Sequence, residues 1–383
     1  MSLYHPWVYL RSGVERWMVE LITRSRHDWT VYTHHYEPDA TYPEVSGLRV
    51  VQLQPEVSVR RSLGPLVHAA GTLLRTRLPL DGTSALLVSS EGLGDLIALR
   101  SKVPVAAYCH TPLKILHDPS AASVVRTSPA RRLALGTIGP AFEAVDRRAW
   151  RHYSHVLANS TETVARIQAA RLRPSGPLEV LTPGVSASWW EGPIAHDRAP
   201  VLLYAGRIMW QKNIELAIDT VRLLGSSARL VIAGMVDEKS AGYLEELRAL
   251  AVGLPVTFES APSDQRLREL YGQATALLFT PRNEDFGMVV LEAMAAGTPV
   301  LSVDAGGPRG IVEHGVDGWL LPPTPEAFAG QVEQLLAMDL RPHREAARKT
   351  AQACGWDAHV ARIDDVMEGL GSGQQRGELG RRV

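Results

Sequence analysis

The sequence has few cysteines and no long apolar run. Its 383 residues include only Cys109 and Cys354, which are too few for a disulfide framework and form no spacing typical of a zinc site. The N-terminus contains no apolar signal core before its first arginine. No uncharged apolar run approaches the roughly 18 residues that a membrane-spanning helix needs. We therefore expect a cytoplasmic chain that is soluble or, at most, peripheral at the inner face of the membrane.

Aromatic content and charge pattern argue against a nucleic-acid partner. Aromatic residues make up 6% of the chain and do not interleave with basic ones. The net charge of −1 hides a basic segment, 60–151, with thirteen Lys/Arg and six Asp/Glu. Scattered solvated charges explain this segment, and so does an anionic acceptor or a membrane surface. Its stretch 131–150 is compatible with a membrane-surface helix, although Gly136, Gly139 and Pro140 weaken a continuous helix.

Apolar runs alternate with stretches of helical period along the chain, in two series. Continuous apolar strands separated by helices predict parallel sheets covered on both faces, so the fold class is α/β with two Rossmann-like domains. The predicted strands are 30–35, 48–53, 85–90, 103–110 and 155–160, then 200–207, 229–234, 255–260, 274–280 and 299–304. The predicted helices are 13–25, 213–224, 238–251, 264–272 and 287–296.

The two domains are predicted to be 1–186 and 187–356. The stretch 181–200 is rich in Pro, Gly and Ser and marks the linker. The tail 371–383 has almost no apolar content and is predicted to be disordered. Ligands of open parallel sheets bind at the carboxyl ends of the strands, so a cleft between two such domains is the expected active site.

Basic residues follow the first strand of the second series. Arg207 and Lys212 lie in the turn that leads from this strand into a helix. Helix N-termini attract phosphate, and an arginine can add a bidentate contact where a lysine adds a point charge. The pair would suit a diphosphate. A capping lysine and a surface arginine are the alternative.

The stretch NEDFGMVVLEAMAAG, which begins at Asn283, places two carboxylates around a glycine turn. Glu284 lies in the loop, where it can accept hydrogen bonds from sugar hydroxyls. Phe286, Gly287 and Met288 form the turn into a helix, whose free amides suit phosphate. Glu292 lies two turns inside this apolar helix, where a carboxylate needs a partner. Ribose hydroxyls or a buried arginine would serve, and a capping glutamate plus an internally paired one is the alternative.

Weaker signals occur in three further turns. Gly306-Gly307 permits positive φ and close approach of the backbone to a ligand. Gly13 begins the first helix and can let backbone amides face a phosphate. His110 follows a strand and precedes Thr111-Pro112, so it can reach a ligand at that sheet edge. A lone histidine is more often structural, and a plain turn also needs glycine.

Together these motifs resemble the family 4 glycosyltransferases, which are retaining enzymes of the GT-B fold. Glu284 and Glu292 match the family's glutamate–seven–glutamate motif, Arg207 and Lys212 its diphosphate-binding pair, and His110 the histidine near the transferred sugar. The stretch 306–329 resembles the segment that closes the nucleotide site. HTPLKILHD (110–118) and NEDFG look most similar to bacterial mannosyltransferases. The family fold also implies that a final helix, about 357–369, packs back on the first domain.

The resemblance implies transfer of a hexosyl group, such as mannosyl, from GDP- or UDP-hexose to a hydroxyl of a glycan, glycolipid or natural product. It implies catalytic roles for His110, Arg207, Lys212 and Glu284. The implied donor-binding residues are Gly13, Arg207, Lys212, Glu284, Phe286, Gly287, Met288 and Glu292. No cofactor or metal is expected, since the chain has no Asp-x-Asp triplet.

Two other functions stay open from the sequence. A nucleotide-sugar hydrolase or epimerase could use the same fold. A non-catalytic nucleotide- or glycan-binding module is the second alternative, although binding alone does not need four charged residues. A dinucleotide oxidoreductase is disfavoured, because no Gly-x-Gly-x-x-Gly follows the first strand.

Overall fold

The computed structural model describes residues 1–57, 63–118, 129–191, 194, 199–236 and 240–379, with side chains for all of these except 63, 129–135 and 373–379. The chain forms two compact units. The first combines Met1–Pro183 with the C-terminal segment that begins at Trp356, and the second is Gly184–Gly355. The sequence places these boundaries at 186/187 and 356/357, close to where the structure has them.

A parallel sheet forms the centre of the first unit. Within the described residues its strands lie in the order β5-β3-β1-β6-β7-β8-β9. The buried strands β6 and β7 read LLVSS and VAAYC, as expected for strands covered on both faces. The strands are β1 (Ser2–Tyr4), β3 (Thr30–Thr33), β5 (Val50–Gln52), β6 (Leu86–Ser90), β7 (Val105–Cys109), β8 (Tyr153–Ala158) and β9 (Leu178–Val180), with a separate pair β2 (Trp7–Val8) and β4 (His35–Tyr36).

Helices follow most of these strands in the first unit. They are α1 (Gly13–Arg24), α2 (Leu63–Arg75), α3 (Lys114–His117), α4 (Pro129–Trp150) and α5 (Thr161–Ala169). The expectation that Gly136, Gly139 and Pro140 weaken a continuous helix is wrong, because α4 runs through all three. Ala149 and Trp150 at its end are fully buried, and such packing outweighs local preference.

Three arginines of the basic segment, Arg60, Arg61 and Arg126, lie outside the described residues, and the side chains of Arg131 and Arg132 are not described. A membrane-surface role for this segment therefore stays a prediction. None of the helices that the structure describes is both long enough and apolar enough to cross a bilayer.

The second unit repeats the architecture with a sheet of order β12-β11-β10-β13-β14-β15, in which all neighbouring strands are parallel. Its strands are β10 (Val201–Ala205), β11 (Arg229–Gly234), β12 (Val256–Ser260), β13 (Ala276–Phe279), β14 (Val300–Val303) and β15 (Gly318–Leu321). Its helices are α6 (Glu215–Leu224), α7 (Ala241–Leu250), α8 (Asp264–Gln273), α9 (Met288–Ala295), α10 (Pro325–Ala337) and α11 (Arg341–Gln352). Apolar clusters fill both faces of this sheet.

Short 3₁₀ turns connect several of these elements. They lie at Pro38–Ala40, Pro43–Gly47, Leu93–Arg100, Ala187–Trp189, Trp210–Lys212, Gly225–Ser227 and Gly307–Gly310.

The last helix, α12 (Trp356–Leu379), belongs to the first unit, where it packs on α1. The expected helix ended at residue 369, and the prediction of a disordered tail over 371–383 is wrong for 371–379, which continue the helix. Gly371 is buried, and a Cβ there would lie 3.0 Å from the Cβ of Ser84. The absence of a side chain thus lets the polar end of the helix lie against the unit. Residues 380–383 lie outside the described residues.

Candidate active site

The predicted residues of the second unit gather at the point where its strand order reverses. From β10 the chain moves outward to β11 and β12, then returns to pair β13 on the other side of β10. Loops at the carboxyl ends of two such strands diverge and leave a crevice, which is the usual ligand site of open α/β sheets. Arg207 and Lys212 follow β10, and Glu284 follows β13.

The loop after β10 runs along the end of β11. The Gly206 N–H donates to the Ala233 carbonyl (3.0 Å), and the Ile208 N–H donates to the Met235 carbonyl (2.9 Å). The loop passes so close that a Cβ at Gly234 would lie 1.7 Å from the Gly206 oxygen. Arg207 is held through its backbone, since the Tyr204 hydroxyl donates to its carbonyl (3.1 Å), while its side chain is exposed.

Lys212 ends the turn Trp210–Lys212 and contacts Glu284 directly. The Asn213 amide donates to the Thr280 carbonyl (3.2 Å), and the Thr280 hydroxyl donates to the Lys212 carbonyl (2.8 Å). These bonds tie the turn to the end of β13. As a result, Lys212 Nζ donates to Glu284 Oε2 at 2.5 Å, with each side chain 21% exposed. Because an ionised carboxylate has about four acceptor sites, the contact with Lys212 leaves Glu284 able to accept from sugar hydroxyls, and that role stays a prediction.

The glycine pair 306–307 packs against the backbone of the Glu284 loop. Gly306 has φ of 71°, and the Gly307 N–H donates to the Glu284 carbonyl (3.0 Å). A Cβ at Gly306 would lie 2.4 Å from that carbonyl oxygen, and one at Gly307 would lie 2.4 Å from Phe286 Cα. Positive φ is confirmed at Gly306 but not at Gly307. The close approach that the structure displays is to this loop.

Glu292 receives a hydrogen bond from a tyrosine. Gly287 (φ 97°) is the N-cap of α9, and Phe286 beside it is buried. Glu292 is half-buried in the second turn, and the Tyr271 hydroxyl donates to its Oε2 at 3.0 Å. Burial, together with the Glu292 charge, raises the pKa of Tyr271 well above its usual value, so it stays a neutral donor. The partner expected from the sequence was ribose or an arginine, and the structure supplies a phenol.

The N-terminus of α6, which the sequence offers as a phosphate site, has acidic and phenolic neighbours. The Ile214 N–H donates to the Tyr243 hydroxyl (3.3 Å), which in turn donates to the Glu215 carboxylate (2.6 Å). The carboxylate in the first turn already faces the positive end of the helix dipole. An anion in this crevice would therefore depend mainly on Arg207 and Lys212.

In the first unit, His110 lies at the end of β7 within a buried aromatic cluster. It is 9% exposed, its Nε2 lies 3.0 Å from Ser89 Oγ, and it meets the rings of Trp17 and Tyr108 edge to face. Burial lowers the pKa of His110 well below its usual value, with His5 and His359 adding to the shift. His110 is therefore neutral at pH 7 and suited to hydrogen bonding.

Gly13, the predicted phosphate-facing residue, is the first residue of α1. Ser12 caps this helix by accepting from the Val14 N–H (3.2 Å), and its hydroxyl donates to Glu15. The spacing Ser-x-x-Glu is the sequence signal of a capping box, but here the contact between the two residues joins their side chains. Burial raises the pKa of Glu15, with partial offset from His5 and Ser12. The Val14 amide at this end thus already has an acceptor.

Within the ranges that the structure describes, no group of three or more His, Cys, Asp or Glu side chains is placed to hold a metal ion.

Comparison with known proteins agrees with this architecture. Residues 191–353 match the family model described as glycosyl transferases group 1. The human alpha-1,3/1,6-mannosyltransferase ALG2 is 27% identical over 336 residues, which cover 80% of this chain and 79% of that protein. An uncharacterized glycosyltransferase of Methanocaldococcus jannaschii is 38% identical over 145 residues, so the match covers 37% of each chain. The solved structure of Anabaena HepE with UDP and glucose has a TM-score of 0.72 at 19% identity, over 96% and 99% of the two chains. The chain therefore has the GT-B fold, and its residues 191–353 match a glycosyltransferase domain.

Sequence analysis did not identify three residues that lie beside the predicted site residues. Tyr271 and Tyr243 have no local signal, because each meets its glutamate only through the packing of helices distant in the chain. Glu15 has one, the capping-box spacing from Ser12. Four predicted residues, Arg207, Lys212, Glu284 and Glu292, are brought to one edge of the second sheet, whereas His110 and Gly13 lie at the carboxyl edge of the first.

Proposed function

We propose that this glycosyltransferase moves a hexosyl group from a nucleotide diphosphate sugar to a hydroxyl acceptor, with retention of the anomeric configuration. The observation that carries the proposal is the Lys212–Glu284 ion pair at the strand-order reversal of the second unit, where Arg207 follows the same strand as Lys212. Two cations and a carboxylate there match a donor that has an anionic diphosphate beside a polyhydroxylated sugar. The complex of HepE with UDP and glucose supports this class of donor.

Each residue has a role that its surroundings support. Arg207 and Lys212 stabilise the negative charge of the leaving diphosphate, and removing one such donor typically costs about 10²–10³ in kcat. Glu284 orients both Lys212 and the sugar hydroxyls, and Glu292 accepts from the ribose hydroxyls. Gly13 and the Phe286–Met288 turn complete the donor contacts. His110, being neutral, contacts the transferred sugar by hydrogen bonding.

The reaction is a substitution at the anomeric carbon on one face. The bond from C1 to the phosphate oxygen breaks, the bond from the acceptor oxygen to C1 forms, and the acceptor proton passes to the leaving phosphate oxygen. This chemistry needs charge stabilisation from the protein and no covalent nucleophile, and we propose that it proceeds without a metal.

For the transferred sugar we propose a mannosyl group, and for the acceptor a hydroxyl group. The mannosyltransferase ALG2 supports a mannosyl donor. The acceptor is a hydroxyl of a glycan, glycolipid or natural product. We place the enzyme in the cytoplasm, with membrane contact through the basic segment 60–151 if the acceptor is a lipid.

Calorimetry with UDP-sugars and GDP-sugars tests the donor site. Wild-type protein, Glu292→Ala and the surface control Glu245→Gln are titrated with and without EDTA. We expect one donor to bind wild type and control equally, unaffected by EDTA, and to be lost in Glu292→Ala. A folded protein that binds no nucleotide sugar would overturn the donor assignment.

Product analysis separates transfer from the alternatives. Release of nucleoside diphosphate that depends on an added acceptor indicates a transferase. Equal release without an acceptor would indicate a hydrolase, and binding without any turnover would indicate a binding module.

A further inference from the structure

Tyr271 is a buried tyrosine with no role in the proposed reaction as described above. It lies near the end of α8 (Asp264–Gln273), has no exposed surface, and donates to Glu292 Oε2 at 3.0 Å. Buried tyrosine hydroxyls normally find a partner. This partner is unusual, because Glu292 belongs to the family motif that sequence analysis assigns to the donor ribose.

The ring of Tyr271 is fixed from several directions. Trp189 packs edge to face on it, with ring centroids 5.7 Å apart. The Tyr271 carbonyl accepts from the Thr298 hydroxyl (2.5 Å) and from the Ala274 N–H (3.2 Å). The position of the phenolic hydroxyl is therefore set by the fold, and it does not depend on the conformation of Glu292.

Glu292, by contrast, has a side chain with several rotatable bonds. A charge-assisted hydrogen bond from a fixed donor restricts those rotations. An ionised carboxylate offers about four acceptor sites, so it can hold Tyr271 and still accept from vicinal hydroxyls.

Tyr271, which donates this hydrogen bond, is also neutral, unlike an arginine. A phenol orients the carboxylate without offsetting its negative charge, which then remains available to attract hydroxyl donors. Burial keeps Tyr271 in this protonated form.

We propose that Tyr271 is a positioning residue that orients Glu292 toward the ribose hydroxyls of the donor, and thereby makes the site selective for ribonucleotides. This inference rests on the proposed function, specifically on the contact between Glu292 and the ribose.

The test compares UDP and GDP with their 2′,3′-dideoxy analogues by calorimetry. Wild-type protein is expected to favour the ribonucleoside diphosphate. Tyr271→Phe should lose roughly tenfold in affinity for the ribonucleotide and nothing for the dideoxy analogue. Tyr271→Phe combined with Glu292→Gln should lose little more than Glu292→Gln alone, because both changes remove the same interaction.

A matched control removes another buried hydroxyl. Tyr4 is also fully buried, and its hydroxyl lies 2.8 Å from His34 Nδ1 in the first unit. Tyr4→Phe should leave the ribo-to-dideoxy affinity ratio unchanged.

The outcomes separate the inference from the proposed function. If Glu292→Gln abolishes ribose selectivity while Tyr271→Phe keeps it, the positioning role is wrong and the donor site stands. If Tyr271→Phe weakens both ligands equally, its role is only structural and the inference is again wrong. If neither wild type nor Glu292→Gln distinguishes the ligands, the ribose contact itself is wrong.

A second variant covers the case in which Tyr271→Phe does not fold. Replacing Tyr271 with 3-fluorotyrosine keeps the ring and makes the phenol a stronger donor. A changed ribo-to-dideoxy ratio supports the inference, and an unchanged ratio overturns it.

Discussion

At the scale of single residues, the Lys212–Glu284 ion pair sets how much positive charge the donor site offers. The two side chains are 2.5 Å apart and mostly covered, so solvent screens the pair less than a surface pair. Glu284 neutralises Lys212 and would repel a diphosphate, yet it also fixes the lysine in place. Affinity for the free nucleoside diphosphate and turnover of the sugar donor should therefore respond in opposite directions when Glu284 loses its charge.

Glu284→Gln tests this opposition. Loss of the negative charge should raise affinity for the free nucleoside diphosphate about two- to fivefold. Turnover should fall about 10²-fold, because Lys212 and the sugar lose their orientation. Calorimetry gives the first quantity and initial rates give the second, with Glu245→Gln as the surface control. Weakened binding of the diphosphate would contradict this account of the pair.

Sequence could locate these residues but not all of their partners. Arg207, Lys212 and Glu284 follow apolar runs whose strand character is visible in the sequence, and the carboxyl ends of parallel strands meet at one edge. Sequence analysis assigned Lys212 to a diphosphate and Glu284 to sugar hydroxyls, and it did not predict their direct contact. That contact depends on the order of β10 and β13 in the sheet. The Tyr271–Glu292 bond likewise depends on how α8 packs beside α9.

At the scale of elements, the loop that carries Glu284 is shaped by the glycine turn after β14. Cβ atoms at 306 and 307 would meet backbone atoms of the loop at 2.4 Å, and backbone cannot move aside as a side chain can. The turn and the loop therefore act as one piece, and a change in the turn should be felt at Glu284.

An alanine at 307 tests this coupling better than one at 306. Gly307 does not have positive φ, so Gly307→Ala introduces only the steric clash of its Cβ with the backbone of the loop. We expect a loss of about 1–3 kcal/mol in the free energy of unfolding and weaker donor binding. Urea denaturation and calorimetry measure the two effects. Gly330→Ala, in α10 with open space around it, should instead stabilise by about 0.5–1 kcal/mol. Similar behaviour of the two variants would contradict the role of the turn.

Elements with long apolar runs were predictable, and those defined by their neighbours were not. The ten predicted strands and the helices of the second unit are all present. The strands β9 and β15 were not predicted, because Leu178–Val180 and Gly318–Leu321 are short and extend only by pairing at sheet edges. The end of α12 was assigned to disorder by composition, which cannot register the contact of Gly371 with Ser84.

At the scale of the whole molecule, buried ionisable groups concentrate in the first unit. Burial lowers the pKa of His34 and His359 to about 4 and that of His110 well below its usual value. Burial, aided by Asp146, raises the pKa of Asp95 to about 7. His359 also ties distant parts of this unit together, because it accepts from Trp17 (2.9 Å) and donates to the Thr182 carbonyl (2.7 Å).

These shifts oppose each other between pH 6.5 and pH 4. In this window the three histidines bind protons when unfolded but not when folded, so stability falls as pH falls. Asp95 binds a proton when folded but not when unfolded, so its contribution has the opposite sign. Burial also raises the pKa of Glu15 and of Asp146, which adds to the contribution of Asp95 through smaller shifts. We expect the three histidines to dominate, and each proton corresponds to about 1.4 kcal/mol per pH unit.

The first unit should therefore lose stability on acidification from pH 6.5 to pH 5. Urea unfolding at several pH values, followed by a hydrogen-exchange pulse at one fixed pH, would report residues 1–183 and 184–355 separately. Asp95→Asn removes the largest opposing contribution, so the free energy of unfolding should fall more steeply with falling pH. His359→Gln should reduce that slope by the equivalent of about one proton. A first unit whose stability rises as pH falls would mean that Asp95 outweighs the histidines. Their burial around His359 and the start of α12 would then not govern how this glycosyltransferase responds to acid.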